Sequence, residues 1–485
     1  MLDSRLIEFH LSKIQKQVGE ESTLANTYFR LVKPIEENLK VYSKLEKQST
    51  HAFLMSLLSA LIKISLEILK SFAVAIIRFR ESSSVKFPIG SQIKRIFVSH
   101  YTHPQNPSEP DIFFDQLPRE NDLIFYHNNT LLNRNKIQDS FTGNKFRQRI
   151  FVTTKSLGVW DTFRLQASNL KIALKLLKSA INSKHYTRLE QLILVYASSA
   201  QVSRQTVANQ VNLKHLDSLL KANHPESLII TLEGHAYEAL YIDLIHSRYS
   251  NTRLMAFQHA PIVPEQFGLM RNLLRINSSD IVLSSGEITK EYFESLNLRA
   301  SVKLLGSPKW QPVALEQKVN SPLTILGAAE GTPESLENFA SLFMKLNDMN
   351  LNLKLILRVH PALSIKESSK ILSRVSFGNQ LILSNRPLKE DLKASNFCIY
   401  RSSAVAIEGL GYGVYPLYFN PTGDQGLNPL YFAKFEIPVF RNVSELQELF
   451  KNLLSSRLTS FVEHHEELLK ISAAYYGKLD PRALD

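Results

Sequence analysis

Short apolar runs that end on a polar residue or a glycine are the feature of this chain that most constrains its fold. They recur between residues 96 and 419 and are separated by segments of helix length. Strands joined by crossovers of that length pair in parallel. The sequence therefore predicts an α/β chain with strands over 96–98, 123–126, 149–153, 228–232, 254–257, 281–283, 323–326, 353–359, 381–383, 397–400 and 415–419. The run 192–195 fits either a strand or a turn of helix.

The runs fall into two successive series, which predict two Rossmann-like domains facing each other across a cleft. A polar segment, 311–321, has a proline near each end and is interpreted as the linker between the domains. The predicted domains are a helical extension over 1–90, a first Rossmann-like domain over 93–310, a second over 322–465, and a C-terminal tail over 466–485.

The longest apolar stretch, residues 53–79, is interrupted by Lys63, Glu67, Lys70 and Arg78. Spanning a bilayer takes roughly 20 consecutive, mostly apolar residues, and the unbroken runs here are shorter. A buried helical hairpin and an interfacial helix are the favoured interpretations. A transmembrane span is the less favoured third.

Positive charge is concentrated in one region of the chain. The net charge is +12, and residues 131–221 contain 15 Lys and Arg against four acids. Lys171, Lys175 and Lys178 recur at helical spacing, with an apolar stripe predicted on the opposite face: Leu170, Leu174, Leu177 and Ile181. This basic amphipathic helix is either a solvated face or an attraction site for anionic lipid, worth ~1 kcal/mol per basic residue near the surface. No nucleic-acid-binding motif accompanies it, so no nucleic-acid partner is predicted.

Several function classes are excluded by absent motifs. The chain has no Gly-x-Gly-x-x-Gly and no Walker string, no Cys-x-x-Cys or paired-His zinc spacing, and no Gly-x-Ser-x-Gly elbow. No metal site and no resident cofactor are predicted. The single cysteine, Cys398, and the lack of a signal-peptide pattern favour a cytoplasmic location.

Two polar strings follow strands of the second domain. Arg358-Val359-His360-Pro361 follows one strand, and Arg401-Ser402-Ser403 follows another and precedes an apolar helix start at 404–407. Ligands of open α/β sheets bind outside the carboxyl ends of the strands, and helix N-termini favour anions. Alternation along the strand places Arg358 and His360 on one face. The sequence therefore predicts a phosphate site built from these arginines, the histidine and the two serines.

A third string, Glu233-Gly234-His235, follows the apolar run 228–232 of the first domain. Partial desolvation at that edge is expected to raise the pKa of Glu233 toward that of a useful general base. The alternative is an acid that complements the dipole of the following helix. Glu238 and His259 are expected on the same wall of the cleft.

Glu233-Gly234, His360-Pro361 and Ser402-Ser403, in this order, make the chain resemble GT-B glycosyltransferases of bacterial surface-carbohydrate synthesis, such as capsule and lipopolysaccharide. The likeness is to the group that uses CMP- or CDP-activated donors: bacterial sialyltransferases, Kdo transferases and polyol-phosphate polymerases. It covers about residues 93–465. One position departs from the sialyltransferase motif, because Leu232 stands where that motif has the first of two acids.

The resemblance implies a role for each matching residue. His360 would protonate or hydrogen-bond the departing phosphate, Ser402 and Ser403 would hold it, and Glu233 would deprotonate the acceptor, with Glu238 or His259 as alternative bases. His235, Glu238 and His259 would line the acceptor side. The implied nucleotide contacts are Gly327, Gly331, Thr332, Asn385, Pro387, Leu388 and Glu408.

The predicted function is thus an inverting, metal-independent glycosyltransferase that moves a sugar, sialic acid- or Kdo-like, from a CMP-activated donor to a glycan or lipid-linked acceptor. It would be cytoplasmic and peripheral on the inner face of the membrane, with an anionic membrane surface as a partner. Three alternatives stay open: a CDP-glycerol-type polyol-phosphate transferase, a nucleotide-sugar epimerase on the same scaffold, and a non-catalytic scaffold of a polysaccharide assembly complex.

Overall fold

The computed structural model describes residues 50–80, 93–100, 114, 117–119, 121–127, 150–152, 159–182, 186–264, 266–310, 322–348, 353–360, 363–374, 381–421, 423, 427–455 and 459–485. Residues 1–49 and 81–90 of the predicted extension, the predicted linker 311–321 and Pro361 lie outside the described residues.

The first domain contains a seven-stranded, all-parallel sheet of order β3-β2-β1-β4-β5-β6-β7. Chain order reverses between β1 and β4, which makes that gap the switch point where open α/β sheets bind ligands. The strands are β1 (Arg95–His100), β2 (Asp122–His127), β3 (Ile150–Val152), β4 (Ser227–Thr231), β5 (Arg253–Gln258), β6 (Ile281–Ser284) and β7 (Ser301–Leu304).

Seven α-helices are described before the second sheet begins. They are α1 (Thr50–Arg80), α2 (Val159–Ile181), α3 (Arg188–Gln201), α4 (Arg204–Asn223), α5 (Ala236–Arg248), α6 (Phe267–Leu273) and α7 (Glu287–Ser295). Alternate side chains of the strands enter two separate apolar clusters. Ile96 and Val98 pack on one face of the sheet, and Phe97 packs on the other. Both faces are therefore covered, as an all-parallel sheet requires.

The second domain repeats the plan with six parallel strands of order β10-β9-β8-β11-β12-β13. Its switch point lies between β8 and β11. The strands are β8 (Leu323–Ala328), β9 (Leu353–Arg358), β10 (Leu381–Ser384), β11 (Phe397–Tyr400), β12 (Tyr415–Phe419) and β13 (Val439–Phe440). The helices are α8 (Pro333–Asp348), α9 (Ile365–Leu372), α10 (Leu388–Ala394), α11 (Val405–Leu410), α12 (Val443–Ser455) and α13 (Thr459–Tyr475).

The predicted fold class is confirmed, because both sheets are parallel and each has the doubly wound order of a Rossmann-like domain. This is the GT-B fold. The ambiguous run 192–195 lies within α3. A capping box decides this, since Thr187 Oγ1 accepts from the Glu190 N–H at 3.2 Å and Glu190 Oε2 accepts from the Thr187 N–H at 2.7 Å.

The segment before the first sheet contributes one long described helix. Phe53, Ala60 and Ile64 of α1 are buried in a cluster with α2 and α3, separate from the sheet cores. The predicted apolar stripe of α2 is wrong in part. Leu177 is buried, but Leu174 and Ile181 are 51% and 59% exposed on the side of the lysines. Within the described parts of the chain, no helix has the length and apolar character needed to cross a membrane.

After α13 the chain returns to the first domain. The Gly477 N–H donates to the Ser285 carbonyl at 2.8 Å, and the Ser307 N–H donates to the Gly477 carbonyl at 2.9 Å. A short 3₁₀ helix, Pro481–Leu484, then buries Leu484 in the cluster that contains Phe97. The interval 466–485, predicted as a tail, therefore includes part of the core of the first domain.

Candidate functional site

The carboxyl ends of β4 and β5 carry a compact group of one carboxylate and two imidazoles. Glu233 Oε2 lies 2.9 Å from His235 Nε2, and Glu233 Oε1 lies 2.5 Å from His259 Nε2. The Glu233 side chain is 26% exposed, whereas each histidine side chain is 10% exposed. The structure thus brings together three of the predicted residues, at the switch point of the first sheet.

The pKa of Glu233 does not shift in the direction expected from desolvation. Burial does raise it, but the charge and hydrogen bonds of His259 and His235 outweigh burial and hold the pKa well below the ordinary value. The predicted rise in the pKa of Glu233 is therefore wrong, because the sequence did not show the two imidazoles on the carboxylate. Glu233 is ionised at neutral pH and accepts hydrogen bonds from both rings.

Glu238 holds the turn that carries Glu233. It is fully buried, and its carboxylate accepts the N–H groups of Glu233, Gly234 and His235 at 2.8, 2.8 and 3.0 Å. Asn272 Nδ2 donates to the same carboxylate at 2.8 Å and also to the His235 carbonyl at 3.1 Å. Burial raises the pKa of Glu238. With its oxygens occupied, Glu238 positions the turn, and Glu233 is the more accessible carboxylate.

Gly234 allows this turn to pack directly on α6. Its φ is +88°, and a Cβ at this position would lie 2.3 Å from the Leu269 backbone nitrogen and 2.5 Å from the Gly268 carbonyl carbon. Gly268 is restricted by the same contact, since its Cβ would lie 2.6 Å from the Gly234 carbonyl oxygen. The pair of glycines therefore sets the position of the Glu233 turn against α6.

Lys309 connects the two domains at this edge. Its Nζ lies 3.0 Å from Glu408 Oε1 of α11 and 5.7 Å from the centre of the Tyr476 ring. Burial lowers the pKa of Lys309, but the charges of Tyr476 and Glu408 raise it, and Glu233 raises it further. The net effect is a raised pKa, so Lys309 keeps its positive charge and pairs with Glu408 of the second domain. Glu408 was predicted as a nucleotide contact, whereas nothing in the sequence indicated Lys309.

The switch point of the second sheet brings Ser402 close to Glu330, an acid that belongs to none of the predicted site motifs. Glu330, two residues after β8, is 7% exposed, and its Oε1 accepts the Ser402 N–H at 3.1 Å. Its own N–H donates to Ser335 Oγ at 3.0 Å. Ser402 and Ser403 are partly exposed, and Arg401 is buried beside them. The backbone N–H of Ser402, one of the groups expected to bind phosphate, is thus already hydrogen-bonded to a carboxylate. Its position two residues after a strand was the signal that could have identified Glu330.

Arg358 is held by groups of its own domain. Its Nη1 donates to Asp391 Oδ2 at 2.9 Å and to the Arg386 carbonyl at 2.6 Å. Asp391 is fully buried and also accepts from Ser384 Oγ at 2.6 Å and Arg386 Nη2 at 2.9 Å. Arg358 therefore ties the end of β9 to the start of α10, and its role as a phosphate ligand stays a prediction.

His360 lies just beyond the end of β9 and is partly exposed. Burial lowers its pKa below the ordinary value of 6.5. In the ligand-free protein the ring is therefore neutral at pH 7, and the imidazolium required for charge stabilisation has to form when an anion binds.

The remaining predicted nucleotide contacts lie on the loops around this edge. Gly327 is internal to β8, where a Cβ would lie 2.4 Å from the Phe343 ring, so its need for glycine is a packing requirement. Thr332 Oγ1 accepts the Ser335 N–H at 3.2 Å at the start of α8, next to the partly exposed Gly331. Asn385 and Pro387 are exposed, and Leu388 is partly exposed.

No three His, Cys, Asp or Glu side chains are disposed to hold a metal ion within the described part of the chain.

No protein-family model and no curated protein matches this sequence. Solved structures do resemble it in overall arrangement. S. aureus MnaA in complex with UDP is 12% identical, with a TM-score of 0.45, over 80% of this chain and 93% of that one. UDP-GlcNAc 2-epimerase of Neisseria meningitidis, bound to UDP-GlcNAc, is 12% identical, with a TM-score of 0.43, over 78% and 94%. The glycosyltransferase SnogD of Streptomyces nogalater is 11% identical, with a TM-score of 0.40, over 79% and 96%. Likenesses this distant do not bear on substrate or chemistry.

Proposed function

We propose that this protein is a glycosyltransferase that uses a nucleotide-activated sugar, with CMP as the nucleotide, and transfers the sugar to a glycan or lipid-linked acceptor at the inner membrane surface. The observation that carries the proposal is the position of Glu233. It is an ionised, partly exposed carboxylate at the switch point of the first sheet, bonded to two imidazoles and within electrostatic reach of Lys309 and the second domain.

The geometry supports a division of labour between the domains. Because the pKa of Glu233 is held low, an imidazole of this group, His235 or His259, would accept the proton of a bound hydroxyl, while Glu233 stays ionised and holds the ring in place. On the other side, His360, Arg401, Ser402 and Ser403 offer ring, guanidinium, hydroxyl and backbone donors to a departing phosphate. Base and leaving-group stabiliser are thus supplied from separate domains, as direct displacement with inversion needs.

A nucleotide-sugar epimerase is the second candidate, and the same group of Glu233, His235 and His259 favours it. Paired acid and base groups can remove a proton from a sugar carbon as well as from a hydroxyl. Net release of nucleotide separates the two. A transferase liberates CMP in proportion to glycosylated product, whereas an epimerase returns the nucleotide bonded to sugar.

Calorimetry with CMP, CDP and UDP tests the donor site first. Wild type is compared with His360→Ala and Ser402→Ala, and Ser373→Ala, at the exposed C-cap of α9, serves as the matched serine control. The proposal expects a preference for CMP, lost in both site variants and kept in the control. A preference for UDP would move the donor class to UDP-sugars and strengthen the epimerase.

If the protein were instead a non-catalytic scaffold, substitutions in the site should leave the carbohydrate output of the cell unchanged. Removing one preorganised charge stabiliser typically lowers turnover by about 10²–10³-fold. Carbohydrate output in cells should therefore collapse in His360→Ala if the protein is an enzyme. Unchanged output in that variant, with normal protein levels, contradicts catalysis.

A further inference from the structure

Helix α1 has two apolar faces, only one of which is packed in the described structure. Phe53, Ala60 and Ile64 are buried against α2 and α3. The opposite side carries a stripe of large side chains that are each 46–66% exposed: Leu54, Leu58, Leu61, Ile62, Leu66 and Leu69. A solvent-facing helix side is normally polar. We call this stripe the outer face of α1.

The exposed apolar surface continues from the outer face of α1 onto α2. Phe72 lies 6.1 Å from Phe163 at the start of α2, ring centre to ring centre, and Trp160 lies 6.3 Å from Phe163. Trp160 is 77% exposed and Phe163 is 52% exposed. An apolar surface extending over two helices, with a tryptophan at its edge, is larger than the scattered apolar side chains of ordinary protein surfaces. Tryptophan also concentrates at membrane–water interfaces.

Basic side chains accompany this surface. Leu174 and Ile181 of α2 are exposed among Lys171, Lys175 and Lys178, which are exposed as well. On α1, Lys63 is exposed next to Ile62. Apolar side chains mixed with lysines on the same helix surfaces are typical of helices that lie in the plane of a membrane interface and are attracted by anionic lipid.

We propose that α1 and α2 together form a membrane-docking surface, on which the outer face of α1, Trp160 and Phe163 enter the interface of an anionic bilayer. The lysines of α2 would contact the lipid head groups. The helices would lie along the bilayer and not across it. That the bilayer also carries the acceptor rests on the proposed function, whereas docking itself rests only on this surface.

Two other occupants have less support. A symmetric contact between two copies of the chain would bring the same lysines together and add like-charge repulsion. Residues 1–49 of the chain itself carry no excess of acids to match the lysines, with eight basic and seven acidic residues. An anionic bilayer matches both the apolar and the basic part of the surface.

Sedimentation of the full chain with vesicles tests the proposal. Vesicles of neutral phosphatidylcholine are compared with vesicles that contain phosphatidylglycerol. The chain should bind the anionic vesicles, and the double variant Leu58→Glu/Leu66→Glu should lower the partition coefficient by at least about tenfold. Ile365→Glu, at an 85% exposed apolar position of the second domain, is the matched control and should bind like wild type. Lys171→Gln/Lys175→Gln/Lys178→Gln should lose the preference for anionic vesicles.

Fluorescence gives a second readout, because the chain has two tryptophans, Trp160 and Trp310. In Trp310→Phe the emission of Trp160 should shift to shorter wavelength when anionic vesicles are added. The proposal is overturned if the full chain binds neither type of vesicle. If the chain is a dimer in solution and Leu58→Glu/Leu66→Glu makes it monomeric, the surface is a contact between two copies. If the chain is a monomer and the emission of Trp160 is already at shorter wavelength without vesicles, the surface is covered by another part of the same chain.

The outcome is independent of the proposed enzyme activity. Vesicle binding without nucleotide binding would leave docking in place and remove the proposed function. Nucleotide binding without vesicle binding would remove the docking proposal and leave the proposed nucleotide-sugar activity in place.

Discussion

Lys309 Nζ and Glu408 Oε1 lie 3.0 Å apart and form an ion pair between the end of the first domain and helix α11 of the second. Their side chains are 35% and 23% exposed, so the pair is only partly shielded from water. The charge of Glu233 also raises the pKa of Lys309. Lys309 therefore interacts with an acid of each domain, through a direct contact with Glu408 and through the longer-range charge of Glu233.

The first prediction concerns this pair. Lys309→Met and Glu408→Gln should each lower the free energy of unfolding by about 1–2 kcal/mol, less than the full cost of breaking a buried pair because both side chains are partly solvated. A double-mutant cycle measured by urea unfolding should give a coupling energy of about 0.5–2 kcal/mol. Additive effects of the two substitutions would contradict a working ion pair. If Glu408 also contacts ribose, Glu408→Gln alone should weaken nucleotide binding.

The second prediction concerns Gly234. Gly234→Ala must both hold a positive φ and place a Cβ against the Leu269 backbone. The matched control is Gly423→Ala, since Gly423 has a φ of +81° but the added Cβ would have no atom of the described residues within 4 Å. The control should show only the conformational cost, about 1 kcal/mol. Gly234→Ala should cost at least about 2 kcal/mol more in thermal unfolding, with loss of activity as Glu233 is displaced. Equal effects would show that the contact with α6 relaxes freely.

Much of the fold could be predicted because the strands of a parallel sheet are apolar throughout. β4 and β11 are buried along their whole lengths, so each appears as a continuous apolar run. The strands β7 and β13 escaped prediction because they are short edge strands; β7 contains Lys303, and Val439 of β13 is 40% exposed.

The site was predicted where a motif follows a strand, and missed where only tertiary structure creates the contact. Glu233, His235 and His259 each follow a strand end, so the sequence placed them at the same edge of the sheet. Lys309 and Asp391 are single charged residues that belong to no motif. Lys309 pairs with Glu408, 99 positions further along the chain, and Asp391 pairs with Arg358, 33 positions earlier. No local pattern marks such pairs. The pKa of Glu233 was mispredicted for the same reason.

The third prediction separates two roles for Arg358. Asp391→Asn removes the buried charge that holds Arg358 and Arg386, and should lower the free energy of unfolding by about 3 kcal/mol. If Arg358 is only structural, Arg358→Met should be similarly unstable but should bind CMP with wild-type affinity in calorimetry on the folded protein. If Arg358 also binds phosphate, CMP affinity should fall by about tenfold or more in Arg358→Met. Arg374→Met, at an exposed position just after α9, is the control for loss of a positive charge.

The fourth prediction is that nucleotide-sugar binding takes up a proton at His360. Burial lowers the pKa of this histidine in the free protein, below 6.5, and a bound phosphate favours the charged ring and raises the pKa in the complex. Between the two pKa values the complex holds more protons than the free protein. Affinity should therefore be greatest at low pH and should fall as pH rises through the pKa of the complex, by up to about tenfold per pH unit for one proton.

Calorimetry in buffers of different ionisation enthalpy measures this proton directly. CMP-sialic acid and UDP-N-acetylglucosamine are suitable probes, because neither has a terminal phosphate, whose second ionisation has a pKa of about 6, and their phosphates therefore do not titrate near neutral pH. The probe that binds should show proton uptake in wild type and none in His360→Gln, which keeps a hydrogen-bond donor but cannot take a charge. Uptake that persists in His360→Gln would place the titrating group elsewhere in the site, with His235 and His259 as the next residues to substitute.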